Sequence, residues 1–222
     1  MITYNPDVQK QSGWERHVGK PWASGPPKSY EMVVDQNTGF ATFTISGGSP
    51  DFCAGGCYSK NIPIPPAANN INMTLVFTVK NHAQSQSDEN DLEITIPAPT
   101  NPKVGMTLNG SVENDNAQGG ELQISDAASG WINSGVKPGV YVDGPVYTLK
   151  VLYAMNRAKG TVTESFLFNE AFYPIDPSIA TVLGSIKGWN DLNQATLQMQ
   201  QTLIINGTYY SITYQHINIT AS

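Results

Sequence analysis

The chain has 222 residues, with 12 Lys and Arg against 18 Asp and Glu and a formal net charge of −6. Charged residues make up 14% and hydrophobic residues 40%, where a typical soluble domain is about 25% charged. A phosphate-backbone binder is excluded, since it needs clustered Lys and Arg; no run approaches the ~18 apolar residues of a membrane span. The 20 Gly and 15 Pro follow no three-residue period, which excludes collagen. Low charge with abundant Asn, Gln, Ser and Thr suits an extracellular, turn-rich β-protein. Residues 1–8 have neither the basic nor the apolar part of a signal peptide, so either the chain is cytosolic or its targeting peptide has been removed; the composition makes the expectation a secreted protein whose targeting peptide is absent from this chain.

Period-2 alternation dominates. Tyr30–Val34 and Phe40–Ile45 flank Asp35-Gln-Asn-Thr-Gly39 and read as a hairpin. Residues 46–70, with four prolines, read as a long irregular segment. Within it, Cys53-Ala-Gly-Gly-Cys57 reads as a five-residue loop closed by a local disulfide, the alternative being two thiols. Ile71–Val79 is the cleanest strand, with Ile71, Met73, Leu75, Phe77 and Val79 on one side. Asp91–Ala98, Met106–Val112 and Glu121–Ser125 follow, the first with Leu92 and Ile94 inward. Pro145–Asn156 and Thr161–Phe168 pair across Arg157-Ala-Lys-Gly160. Asp176–Lys187 is the one segment that fits a helix, opened by Pro177 and stopped by Gly188. Thr196–Ile205 and Thr208–Ile219, joined by Asn206-Gly207, carry the strongest hairpin signal. Ten or more one-sided strands without βαβ spacing predict two antiparallel sheets packed face to face. No shift of composition marks a boundary, so the expectation is one β-sandwich domain over 1–222, with Leu75, Phe77, Leu92, Ile94, Leu149, Val151 and Leu203 in its core.

The acids are scattered except in Ser87-Asp-Glu-Asn-Asp-Leu-Glu-Ile94, where Glu89, Asp91 and Glu93 stand at i, i+2 and i+4. On a strand these carboxylates share one face. Repulsion among them keeps one protonated beside one ionised, which is the pair that glycoside cleavage needs. From i to i+4 the backbone spans ~13 Å, so the outer two side chains must lean toward a sugar above Asp91, or the strand must bulge. The alternative is a solvated acidic turn, with a structural calcium held through oxygen ligands as one use for it.

The segment resembles the Glu-x-Asp-x-Glu signature of the glycoside hydrolase family of lichenases, laminarinases and xyloglucan transglycosylases. That resemblance implies a concanavalin-like jelly roll with Glu89 as nucleophile, Asp91 as its support and Glu93 as acid/base. Leu75–Val79 precedes the signature as a family strand does, residues 102–110 follow it similarly, and Tyr147-Thr-Leu-Lys-Val-Leu-Tyr153 is similar to a later His-x-Tyr strand. Asn90 stands where the family has an apolar residue, and Val146 precedes Tyr147 where the family has His.

Other polar positions suit a glycan. Thr196, Gln198, Gln200 and Thr202 share a strand face opposite Leu197, Met199, Leu203 and Ile205; an amide both donates and accepts, as sugar hydroxyls require. Glu121 is a spare carboxylate. Trp14, Trp22, Trp131 and Trp189 lie in Gly-rich or irregular segments, where tryptophans serve as sugar-stacking platforms or as caps of the core. We therefore expect Gln198, Gln200, Trp131, Trp189, Tyr147 and Glu121 at a substrate site. His17, His82 and His216 form no metal motif, and no metal or required cofactor is expected. With Arg16 and Arg157 its sole arginines, the chain suits a neutral glycan better than a uronan. The leading reading is an extracellular retaining endo-β-glucanase-like enzyme. A non-catalytic carbohydrate-binding or adhesion module comes second, then a lyase-like enzyme, then a viral or filament shell protein.

Overall fold

The computed structural model describes residues 2–3, 7–18, 27–47, 54–65, 67–81, 92–96, 106–108, 110–111, 123–126, 130–133, 141–156, 161–174, 194–203 and 208–222. In chain order the strands are β1 (Ile2–Thr3), β2 (Glu15–Val18), β3 (Ser29–Val34), β4 (Ala41–Ser46), β5 (Ala54–Pro63), β6 (Asn70–Lys80), β7 (Leu92–Ile96) and β8 (Met106–Leu108). They continue with β9 (Gly110–Ser111), β10 (Gln123–Asp126), β11 (Gly130–Asn133), β12 (Tyr147–Asn156), β13 (Thr161–Phe168), β14 (Ala171–Pro174), β15 (Gln194–Leu203) and β16 (Tyr209–Ala221). An eight-stranded sheet runs β14-β13-β12-β6-β16-β4-β3 with β1 beside β16; a five-stranded sheet runs β2-β5-β15-β7-β8; β11-β10-β9 form a third. The fold is an all-β antiparallel sandwich with concanavalin-like jelly-roll topology.

Alternation in the sequence becomes alternation in burial. In β6, Ile71, Met73, Leu75, Phe77 and Val79 are buried while residues 72, 74, 76 and 78 are not. Leu149, Val151 and Leu203 are buried as expected; the side chains of Leu92 and Ile94 lie outside the described residues. The two large sheets share this core through aromatic side chains. Phe43 of β4 makes edge contacts with Trp14, Tyr58 of β5 and Tyr214 of β16 at 5.5–5.9 Å between ring centres. The buried Tyr30 hydroxyl donates to the Met199 carbonyl of β15 at 2.9 Å, tying β3 to the opposite sheet. Burial, chiefly, pushes the Tyr30 phenol well above its ordinary value, which keeps it a donor. Arg16 Nε donates to the Tyr30 carbonyl at 2.7 Å across the edge between the sheets.

The β3–β4 turn forms as the sequence predicts. Asp35 Oδ1 accepts the N–H groups of Asn37 and Thr38 at 2.8 Å each, which holds its carboxyl below the usual carboxylate range. Gly39 takes φ +70°, and a Cβ there would overlap the Lys10 side chain. β16 carries a bulge between Tyr214 and His216. Gln9 fits it: its amide donates to the Gln215 carbonyl at 2.9 Å and accepts the Ile217 N–H at 3.0 Å. One side chain thus supplies the hydrogen bonds of a missing strand residue.

Three expectations are corrected. Residues 46–70 are not irregular throughout: β5 runs through them, paired with β15 from Ala54 opposite Leu203 to Pro63 opposite Gln194. Its signal was hidden because residues 55–59 are all buried, so no alternation shows. Gly56 is there for a close approach, since a Cβ would lie 2.7 Å from Tyr30 Cδ1 and 2.9 Å from the His17 carbonyl oxygen. The same strand overturns the disulfide. Cys57 is a buried thiol in an extended segment, and three strand steps already span ~10 Å, whereas a five-residue ring must fold back to bring its Cα atoms within about 7 Å. Cys53 lies outside the described residues. Finally, the strands around Asn206-Gly207 do not pair with each other. β15 lies between β5 and β7, and β16 between β6 and β4 in the opposite sheet. Each buries its apolar face against the common core, and that pairing overrides a local turn signal. The segment 176–187 lies outside the described residues.

Candidate functional site

The buried residues Leu197, Met199, Gln201 and Leu203 define the inner side of β15. Positions 196, 198 and 200 therefore belong to the outer side. Register carries this across the sheet. Gln198 stands opposite Ser59 of β5 and opposite Glu93 of β7, and Ser59 stands opposite Glu15 of β2. One step along, Thr196 stands opposite Asn61 and Thr95, with Thr107 of β8 beyond. One step the other way, Gln200 stands opposite Cys57, which stands opposite His17.

This face is closed at one end and open at the other. Cys57 occupies an outer position yet is 0% exposed, and Ser59 is 9% exposed, so this end of the face is shut off from solvent. Asn61, Pro63 and Glu15 are exposed. His17 stands where closed meets open, its Nε2 hydrogen-bonded to Ser59 Oγ at 3.1 Å and 3.8 Å from a Glu15 carboxylate oxygen. By register, Glu15 and Asn61 share one face with the positions of Thr196, Gln198, Glu93, Thr95 and Thr107, spread over all five strands. Hydroxyls and amides there can donate and accept, and the carboxylates accept.

Of the residues expected at the site, Gln198, Gln200 and Glu93 hold register positions on this face. Glu89, Asp91, Glu121 and Trp189 lie outside the described residues, and Trp131 pairs with Ser125 in the separate three-stranded sheet. Tyr147 is in the core instead. It is buried, accepts the Val142 N–H at 2.8 Å, donates to the Val142 carbonyl at 3.3 Å, and packs against Tyr141 with ring centres 4.8 Å apart. Trp14 also turns inward, onto Phe43. Sequence reasoning missed Glu15, His17, Ser59 and Asn61, because their strands have no alternation of their own. Among the described residues, no group of three or more His, Cys, Asp or Glu could hold a metal ion.

No family model and no curated protein matches the chain. Solved structures do. Lectin I from Ulex europaeus, in complex with the methyl glycoside of α-L-fucose, matches with a TM-score of 0.55 and 11% identity over 100% of this chain and 98% of that one. Arcelin-5, a lectin-like defense protein from Phaseolus vulgaris, matches with 0.55 and 8% over 100% and 98%. The metal-free carbohydrate recognition domain of Emp46p matches with 0.54 and 7% over 96% and 94%. At such identities the likeness shows the fold: a concanavalin-like sandwich, and not membership of the glycoside hydrolase family that the acidic segment resembles. The expectation of an endo-β-glucanase-like enzyme is corrected accordingly. The three structures named are a lectin, a carbohydrate recognition domain and a lectin-like protein, and the described strand of the acidic segment begins at Leu92, so it carries Glu93 alone of the three carboxylates.

Proposed function

We propose that the protein is a secreted, non-catalytic carbohydrate-binding module whose ligand is a neutral glycan laid across the open half of the five-stranded sheet. The observation that carries this reading is the row of hydroxyl, amide and carboxylate positions that register aligns over five strands, ending where Cys57 is covered. Such a row suits a ligand that presents alternating donors and acceptors over an extended length. The end-to-end likeness to lectins supports it. A net charge of −6 disfavours approach of polyanionic chains, which supports a neutral ligand.

A printed panel of neutral oligosaccharides, followed by titration calorimetry on any hit, tests the reading. Gln198→Ala and Thr196→Ala should each weaken binding roughly tenfold, about 1.4 kcal/mol, with unchanged melting temperatures. Mixed-linkage β-glucan and laminarin should be left intact by the wild type, with no reducing ends released. Absence of any glycan ligand at millimolar concentration, or affinity indifferent to both substitutions, would overturn the proposal.

A further inference from the structure

On the opposite side of the molecule, the outer face of the eight-stranded sheet holds a groove of about 610 Å³ lined by Thr42, Thr78, Lys80, Asp143, Tyr209, Ser211 and Thr213, among others. That volume lies within the ~300–1,000 Å³ of small-ligand sites. Its origin is topological. β12 begins at Tyr147 opposite Phe77, while β6 runs on to Lys80, so among the described residues no strand pairs with this flank of β6 beyond Phe77. Asp143 and Gly144 occupy the notch instead. Asp143 Oδ1 accepts the N–H of Asn81 at 2.8 Å, and Asn81 turns the chain with φ +61°. The carboxylate is thereby set at the end of β6, beside Lys80.

The floor is polar by register. Thr42, Thr213 and Thr78 stand in one row across β4, β16 and β6, and Ser211 stands beside Lys80 and Thr44. Thr42 and Thr213 share a hydrogen bond between hydroxyls at 2.9 Å, which leaves the pair with a donor and further lone pairs for a ligand. Ser211 is the sharper sign. It is 8% exposed, lines the groove, and its hydroxyl has no hydrogen-bond partner among the described residues. A hydroxyl that lines a groove and has no protein partner among the described residues is free to donate to and accept from a ligand. Tyr209, 41% exposed, offers a ring at the rim.

We propose that this groove is a second saccharide-binding site, separate from the five-stranded sheet, that takes a neutral pyranoside. Lys80 and Asp143 offset each other, so the groove has no excess charge to hold a phosphate or a uronate. Hydroxyls that both donate and accept match the alternating hydroxyls of a sugar ring, and an exposed tyrosine ring can cover its apolar face. Sites on opposite faces would let one chain bridge two glycans, with the avidity that follows.

Backbone NMR spectra of the wild type would be titrated with methyl β-D-glucopyranoside, methyl α-D-mannopyranoside and lactose as separate probes, to 50 mM on the order of weak lectin sites. The expected result is saturable shifts at Thr42, Thr78, Tyr209, Ser211 and Thr213 with at least one probe. These should persist in Gln198→Ala and fall at least fivefold in apparent affinity in Ser211→Ala and Thr213→Val. Ser211→Ala should melt close to wild type, since the hydroxyl it removes has no hydrogen-bond partner among the described residues. Shifts confined to the five-stranded sheet overturn the second site and leave the proposed function standing. Shifts in the groove that survive both groove substitutions overturn it as well, as does the absence of shifts with every probe.

Discussion

The two large sheets bury their inner faces by different means. In the eight-stranded sheet the inner positions of β4, β6 and β16 are apolar or tyrosine without exception: Ala41, Phe43 and Ile45; Ile71 to Val79; Tyr210, Ile212, Tyr214, Ile217, Ile219 and Ala221. In the five-stranded sheet the inner row is interrupted. Gln201 is 1% exposed, and neither its amide nitrogen nor its carbonyl oxygen has a partner among the described residues. Gly56 leaves out a side chain altogether so that Tyr30 can approach. Lys60, beside Leu197 in register, reaches out to the Ser12 carbonyl. The inner rows of those three strands are apolar or tyrosine throughout, whereas the inner row of the second sheet is broken. Departures of that kind gather where a surface has a task other than folding, and the outer face of the five-stranded sheet is the one we assign to glycan binding.

The contrast can be broken most forcefully at the point where both sheets depend on one residue. Phe43 touches Trp14, Tyr58 and Tyr214 and is 1% exposed. Phe43→Ala should cost about 3–5 kcal/mol, read as a lower urea midpoint with an unchanged slope. If the sheets were energetically separate, the loss would be smaller and the transition would split in two.

Gln201 sharpens the comparison in the opposite direction. Leu is close to Gln in volume and has nothing to satisfy, so Gln201→Leu should stabilise the fold by roughly 1–3 kcal/mol, measured by the same unfolding titration. A destabilised variant would mean that the amide is used, and the inner face of the five-stranded sheet would then be no less consistent than its partner.

Much of this division was legible in the sequence, and for a physical reason. Strands with one buried face write period 2 into their residues, so β3, β4, β6, β12, β13 and β16 could be read directly. β5 could not, because both of its faces are covered from Gly55 to Ser59, and a strand covered on both sides need not alternate. The Asn206-Gly207 signal misled for a complementary reason. It describes what four residues prefer, whereas the partner of β16 is decided by Phe77, Leu75 and Met73 of β6, which share its inner row. At the site, Gln198 and Gln200 were found from their alternation with Leu197 and Met199, while Glu15, Ser59 and Asn61 acquire their role only through register. Tyr147 shares the alternation of Leu149 and Val151, which puts it on the buried side of β12, and its hydroxyl folds back on Val142.

A smaller effect is expected at the edge of the eight-stranded sheet. β13 and β14 are joined by Asn169 and Glu170, both at positive φ (46° and 69°). Asn tolerates this region, and here its Oδ1 also accepts the Thr148 N–H at 2.9 Å; Glu does not favour it. Glu170→Gly completes the preferred Asn-Gly pair and should stabilise by about 1 kcal/mol, seen as a rise in melting temperature. No change would mean that the turn relaxes at no cost, so that this edge contributes little to the consistency of the larger sheet.

The smallest predicted effect concerns the clasp at the β16 bulge, where the larger sheet borrows residues from the start of the chain. Asp7 bridges to Ile217, pairs with Lys10 at 3.1 Å and approaches His216 Nδ1 at 3.6 Å. The Lys10 hydrogen bond, ahead of the charges of Lys10 and His216, holds the Asp7 carboxyl below its ordinary value of 3.8. A carboxyl lowered in the folded state binds its proton more readily when unfolded. Its contribution is therefore complete above pH 3.8 and fades as pH falls through the lower, folded value. Asp7→Asn should lower the melting temperature slightly at pH 6, and the gap between variant and wild type should close as acid is added through that window. The pair is exposed enough for salt to screen it, so the gap at pH 6 should also shrink between 20 mM and 500 mM NaCl, values chosen at roughly 20 Å and 4 Å of Debye length. A gap that ignores both acid and salt would mean that Asp7 acts through uncharged contacts, and the bulge would then be held without help from charge.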